Sequence, residues 1–178
     1  MAIKSSRTVI RYVVLVALLA ATLSCAKLAL SFLPNVEIVT LLCALYGYVF
    51  GVAGIVAAVV FVTLEPLLYG FGTWIISYYL YWPLVAFVFF CLGRVKLKSR
   101  VILSAVALLL TAFFGVLSSF VDVGLFSGSY DHLFYRFGIY YLRGLPFYAI
   151  QLACNAVIFP LLFRPMANAL ERMKRRTL

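Results

Sequence analysis

Residues 101–121, VILSAVALLLTAFFGVLSSFV, form a run of 21 residues without a charge, bounded by Arg100 and Asp122. A helix needs about 20 mainly apolar residues to cross the hydrocarbon core of a bilayer. A transmembrane β-strand would instead alternate apolar and polar residues over about ten positions, and this run does not alternate. The segment is therefore predicted to be one transmembrane helix.

The remainder of the chain has the same character. Of its 178 residues, 66% are hydrophobic and 11% are charged, whereas soluble domains are about half apolar and a quarter charged. The aromatic content of 17% also excludes a disordered chain. We predict an all-α integral membrane protein whose residues 1–178 form one domain, a compact bundle of six transmembrane helices. The predicted spans are 9–33, 36–50, 52–69, 75–93, 101–121 and 142–164.

Two features of this arrangement are specific enough to test. The second span, 36–50, is short, so its helix needs support from a re-entrant or buried segment. The segment 122–141 is predicted to be a long outer loop, whereas the inner turn at Gly51 is very tight.

The basic residues fall in three groups, and these predict the orientation of the chain. The groups are Lys4, Arg7 and Arg11; Arg94, Lys96, Lys98 and Arg100; and Arg164, Arg172, Lys174, Arg175 and Arg176. Six spans with both termini on one side place all three groups on that side, and the positive-inside rule makes it cytoplasmic. The net charge of +10 is thus explained by orientation in the lipid bilayer, and we predict no binding of nucleic acid. Basic residues before an apolar run also occur in signal peptides, but here the run continues to Leu33, which favours a retained span.

Motifs of catalysis and of metal binding are missing from the sequence. The four cysteines have no paired spacing, and a single histidine, His132, excludes a multi-histidine metal site. The sequence contains neither a P-loop nor a G-x-S-x-G nucleophile elbow. We therefore predict that the protein is not an enzyme and that it has no metal or other cofactor.

Polar side chains at membrane depth are costly and usually have a partner or a function. Here they gather with aromatic residues at the predicted outer ends of the spans, where we predict a substrate-binding site. Its predicted residues are Asn35, Glu37, Glu65, Tyr69, Trp74, Tyr78, Gln151 and Asn155. Glu65 and Asn155 are the strongest candidates, because both lie within spans and neither has an assured structural partner. Aromatic stacking with amide hydrogen bonds suits a small planar heterocycle.

Three of these candidates, Asn35, Glu37 and Glu65, also have a purely structural interpretation. Asn35 or Glu37 can cap the helix that begins near Pro34. Glu65 can form a buried ion pair with Lys27 in the first span.

The aromatic and amide candidates have a structural alternative as well. Aromatic residues at 74–82 can form a belt that faces lipid headgroups, although four of them share one helix face. Gln151 and Asn155 are four residues apart, so they project from one face and can join helices by hydrogen bonds.

Five segments taken together are typical of one family of membrane proteins. They are the alanine-rich first span with Ala17-x-x-x-Ala21, LPNVEIVTLL at 33–42, Tyr46-Gly47 through Gly54, LEPLLYGFGTW at 64–74, and GLPFYAIQLACNAVIFPLLFRP at 144–165. With six predicted spans and basic cytoplasmic ends, they resemble the S component, or substrate-binding subunit, of an energy-coupling factor (ECF) vitamin transporter.

The resemblance implies a solitary six-helix binding subunit of the bacterial cell membrane, without catalytic activity. Such a subunit captures a vitamin or vitamin precursor from outside and docks on a transmembrane coupling subunit that is driven by two cytoplasmic ATPases. Ala17 and Ala21 match the family's docking motif. Two other interpretations remain: a six-span scaffold resembling the rod-shape protein MreD, which needs no enclosed outer site, and an intramembrane enzyme, which the missing motifs disfavour.

Overall fold

The computed structural model describes residues 6–33, 36–126 and 131–177, which fold into six α-helices and contain no strand. The helices are α1 (Ser6–Ala29), α2 (Val39–Phe50), α3 (Val52–Tyr69), α4 (Trp74–Arg94), α5 (Arg100–Phe126) and α6 (Leu133–Thr177). Five of them are long and apolar enough to cross a membrane. The chain is therefore a multi-pass membrane protein, and the predicted all-α bundle is confirmed.

The short helix α2 is the centre of the bundle. Its 12 residues extend about 18 Å, which is less than the hydrocarbon thickness of about 30 Å. Ten of the twelve are buried, because α2 packs against α3, α4 and α6 and also touches α1 and α5. Protein rather than lipid surrounds this helix, which explains how so short a segment is accommodated at membrane depth.

Two positions in this region require glycine, one because of close helix packing and one because of its backbone conformation. A Cβ atom at Gly47 would lie 1.9 Å from the carbonyl oxygen of Ala86, so glycine allows α2 and α4 to approach closely. Gly51 alone separates α2 from α3 and has φ = 65°, a conformation that glycine adopts readily. The predicted tight turn at Gly51 is confirmed.

The prediction of a long outer loop at 122–141 is wrong. α5 continues to Phe126 and α6 begins at Leu133, so most of the segment is helical. Aromatic rings join the two helices: the ring centroid of Phe120 in α5 is 4.3 Å from that of Phe137 in α6, and Phe137 is 5.8 Å from Tyr141 one turn further along α6. The polar residues between these rings lower the hydropathy of the segment, which is why the sequence predicts a loop where the helices extend. The first span also differs from its predicted end at 33, since α1 ends at Ala29.

The two ends of the bundle differ in charge. The end predicted to be outer carries residues 30–33, 36–38 and 70–73 and the beginning of α6, whereas the basic end carries residues 94–100 and the end of α6. The positive-inside rule predicts that the basic end is cytoplasmic. α5 packs along α6 and α2 along α4, while α1 lies at the side of the bundle and packs mainly against α3.

Candidate ligand-binding site

A cavity of about 250 Å³ lies at the outer end of the bundle. All six helices contribute to its wall. Its polar and aromatic wall residues are Lys27, Ser31, Glu37, Tyr69, Tyr78, Trp82, Phe114 and Gln151. Because Lys27 and Gln151 are far apart in the sequence, the cavity forms only when the bundle is folded.

Glu37 forms the acidic side of this cavity. Its carboxylate accepts hydrogen bonds from the backbone N–H of Thr40 at 2.9 Å and from the hydroxyl of Thr40. It also accepts from the side-chain amides of Asn155 at 3.0 Å and of Gln151 at 3.3 Å. The Thr40 bonds cap the first turn of α2, while the amides connect the same carboxylate to α6. Glu37 is therefore both a helix cap and a wall residue of the cavity.

Lys27 forms the basic side. Its ammonium group makes an ion pair with Glu65, whose side chain is 0% exposed. The same ammonium lies over the rings of Tyr69, Tyr78 and Trp74, at 4.6, 4.7 and 5.5 Å from their centroids. A cation gains electrostatic stabilisation over each aromatic face. The cation of α1 is thus held by α3 and α4 at the edge of the cavity.

Three rings make the apolar wall. The centroid of Tyr78 is 5.7 Å from that of Trp82 and 6.2 Å from that of Phe114, and Trp82 and Phe114 are close to parallel, with an angle of 24°. Trp82 is only 4% exposed. These rings face the cavity instead of forming a lipid-facing belt, and their flat surfaces suit a planar ligand.

Three buried polar atoms around the site have no hydrogen-bond partner in the described part of the chain. They are Nε1 of Trp82, Oε1 of Glu65 and Oδ1 of Asn155. Buried polar atoms in folded proteins are usually paired. Of the three residues, Trp82 also lines the cavity, although its Nε1 atom is itself buried.

The predicted site residues fall into three sets. Glu37, Tyr69, Tyr78 and Gln151 line the cavity. Glu65, Trp74 and Asn155 lie behind the wall, where they contact the wall residues Lys27, Tyr78 and Glu37, respectively. Asn35 lies outside the described residues.

Both of the strongest candidates, Glu65 and Asn155, have structural partners. Glu65 pairs with Lys27. The Asn155 amide donates to Glu37 and, at 3.1 Å, to the hydroxyl of Thr111. In the low-dielectric interior a carboxylate or an amide needs such partners to be buried at all, and the sequence does not show which residues supply them.

Lys27, Trp82 and Phe114 line the cavity but are not among the predicted site residues. The sequence suggests Lys27 only as a partner for Glu65, although a lysine within an apolar span is itself a signal of a site. Trp82 lies one helical turn after Tyr78 and therefore on the same face of α4. Phe114 has no signal in the sequence, since one phenylalanine among many in α5 does not stand out.

The predicted docking residues lie away from the cavity. Ala17 and Ala21 are exposed on the outer side of α1, one helical turn apart. Neither lines the cavity. Small residues on a lipid-facing surface permit another helix to approach closely.

Comparisons with known proteins add no relative: no protein-family model, no curated protein and no solved structure matches this chain significantly.

Proposed function

We propose that this protein is the high-affinity substrate-binding subunit, or S component, of an ECF-type ABC importer in the bacterial cell membrane. Its substrate is a vitamin or a vitamin precursor. It is not an enzyme: a transmembrane coupling subunit and two cytoplasmic ATPases supply transport energy. The family comes from the resemblance of the sequence segments, and the binding role is supported by the cavity.

The observation that carries the proposal is the convergence of all six helices on one cavity with mixed chemistry. Ligand sites typically combine apolar and aromatic walls with a few placed polar groups. Here the rings of Tyr78, Trp82 and Phe114 form the wall, while Glu37 and Lys27 place an acceptor and a cation at its edges. A scaffold protein needs no such site.

The wall also favours a class of ligand. A volume of about 250 Å³ is below the range of about 300–1,000 Å³ for drug-sized ligands, so the substrate is a small molecule. The flat rings suit a planar heterocycle, and Glu37 suits hydrogen-bond donors on that heterocycle. The hydrogen bond from Gln151 to Glu37 is the longest that this carboxylate accepts, at 3.3 Å. It is therefore the contact that a ligand N–H most readily replaces.

The exposed stripe on α1 supports the second half of the proposal. Ala17 and Ala21 face away from the bundle, and α1 packs mainly against α3 and only slightly against α2. The face of α1 that points away from the bundle is consequently open for a coupling subunit. Lys27, at the outer end of the same helix, lines the cavity.

Native mass spectrometry of the purified protein tests the proposal directly. We expect a small organic molecule to be released on activation, and its mass to identify the substrate. Tyr78→Ala, which removes one ring of the wall, should abolish retention of that molecule, whereas Tyr12→Ala, on the exposed part of α1, should not. Absence of any retained small molecule, together with no thermal stabilisation by a panel of vitamins and precursors, would favour the scaffold alternative.

A further inference from the structure

A second groove lies at the basic end, between α1 and α6. Its volume is about 500 Å³, and in the described part of the chain α1 and α6 do not pack directly on each other. Aliphatic residues of α1 form one side, Leu170 and Met173 of α6 form the other, and Tyr46 and Phe50 of α2 form the floor. The groove is open towards the surroundings of the bundle.

The groove has one apolar end and one cationic end. Thr22 closes the apolar end, where its hydroxyl is hydrogen-bonded to the hydroxyl of Tyr46 at 2.8 Å. Arg11 and Lys174 lie at the other end and also line an adjoining groove with Thr8 and Tyr12. No acidic residue is among the described residues that line either groove.

We propose that this groove binds one anionic diacyl phospholipid of the cytoplasmic leaflet. One acyl chain lies along α1 between Arg11 and Thr22, and the headgroup phosphate is held by Arg11 and Lys174.

The length of the groove agrees with this occupant. The 11 residue steps from Arg11 to Thr22 correspond to about 16 Å along a helix, and the hydrocarbon of one leaflet is about 15 Å thick. The groove, with a volume of about 500 Å³ along that length, therefore accommodates one acyl chain.

The charges select an anionic headgroup. Lys174 donates one hydrogen bond to the carbonyl oxygen of Val49 at 2.6 Å, and an ammonium group has two further donors. The acid nearest in sequence, Glu171, pairs with Arg175 at 3.8 Å. Arg11 has no hydrogen bond or ion pair in the described part of the chain. Basic pockets between transmembrane helices on the cytoplasmic side are typical sites for anionic headgroups.

The site is separate from the docking stripe of the proposed function, since neither Ala17 nor Ala21 lines the groove. Lipid binding can therefore be measured on the purified protein alone, whether or not it is a transport subunit.

The test is a lipid titration of the purified full-length protein followed by native mass spectrometry. The two probes are dioleoyl phosphatidylglycerol and dioleoyl phosphatidylcholine, which have the same acyl chains. We expect one phosphatidylglycerol to bind preferentially. Each basic residue near the membrane surface contributes about fivefold to such binding, so Arg11→Gln combined with Lys174→Gln should weaken it about 25-fold. The matched control, Arg94→Gln combined with Arg172→Gln, removes the same charge from residues that do not line the groove and should leave binding unchanged.

Two further variants keep the test decisive if Lys174→Gln loosens α2. Arg11→Gln alone breaks no hydrogen bond or ion pair in the described chain and should weaken binding about fivefold, whereas Lys174→Arg keeps the charge and should retain it. Leu18→Trp fills the groove and should exclude the lipid, but Leu109→Trp on the exposed surface of α5 should not. The proposal is overturned by equal binding of both lipids, by equal loss in the charge control, or by unchanged lipid binding in Leu18→Trp.

Discussion

Removing Lys27 and removing Glu65 from their ion pair should lower the free energy of unfolding by unequal amounts. Glu65 is 0% exposed and Lys27 is 24% exposed. Lys27→Met leaves a fully buried carboxylate without its cation, which should cost about 3–5 kcal/mol of unfolding free energy. Glu65→Gln leaves a partly solvated ammonium over three rings, each worth about 0.5–1 kcal/mol, so its cost should be clearly smaller. The double variant removes both charges and should recover at least half of the Lys27→Met loss.

Thermal unfolding in detergent micelles measures this asymmetry. For a chain of 150–250 residues, 1 kcal/mol shifts Tm by about 2–4 °C, so Lys27→Met should lower Tm by roughly 6–20 °C. Lys98→Met, at an exposed lysine of the basic end, is the matched control and should stay within about 2 °C of the parent. Equal losses for the two single variants, or a double variant that melts no higher than Lys27→Met, would refute the reasoning.

Three further predictions concern binding, coupling and topology. Asn155→Leu combined with Glu65→Gln should weaken substrate binding at least about tenfold in calorimetry, because these residues hold Glu37 and Lys27 in place at the cavity wall. Replacing Ala17 or Ala21 with tryptophan should prevent assembly with the coupling subunit and uptake, while substrate binding to the isolated protein survives. In a chain whose native cysteines are replaced, a cysteine at Lys174 should be labelled only after cells are permeabilised.

Each of these predictions has a control and a contradicting result. Asn168→Leu, at an exposed asparagine of the same helix α6, should keep full affinity; unchanged affinity in the Asn155 variant as well would show that this amide only joins helices. Ala105→Trp, on the exposed face of α5, should leave assembly intact. Loss of substrate binding with normal assembly would contradict the docking role of α1, and labelling of position 174 in intact cells would exclude the six-span topology.

The helices themselves were predictable, because each depends on a continuous stretch of sequence. The predicted span 52–69 matches α3 in full, and 75–93 differs from α4 by one residue at each end. Apolar composition sets the length of a span, and glycine marks a turn such as that at Gly51. The prediction of a loop at 122–141 failed because it depended on hydropathy alone. The aromatic pairs that pack these helical extensions together are tertiary contacts, which the hydropathy of a segment does not report.

The partners of the site residues were less predictable, because they depend on how distant helices are aligned. Asn155 and Glu37 are separated by 118 positions, and their contact requires α6 to lie beside the turn before α2 at one particular height. A shift of one helical turn is about 5.4 Å, enough to break this hydrogen bond while leaving every apolar run unchanged. The sequence therefore indicated which polar residues gather at the outer end but not which of them touch.

A structural role and a binding role are not alternatives for a polar residue at membrane depth. Glu37 caps α2, accepts the amides of α6 and lines the cavity. Its four hydrogen bonds equal the roughly four acceptor sites of a carboxylate, so a ligand donor would replace the long bond from Gln151. Water does not supply partners within the bilayer core, so a polar group must be held by protein whether or not a ligand is bound. The partners of Glu37 therefore do not argue against a ligand contact. They hold the carboxylate in place, and a fixed acceptor loses less conformational entropy when a ligand binds to it.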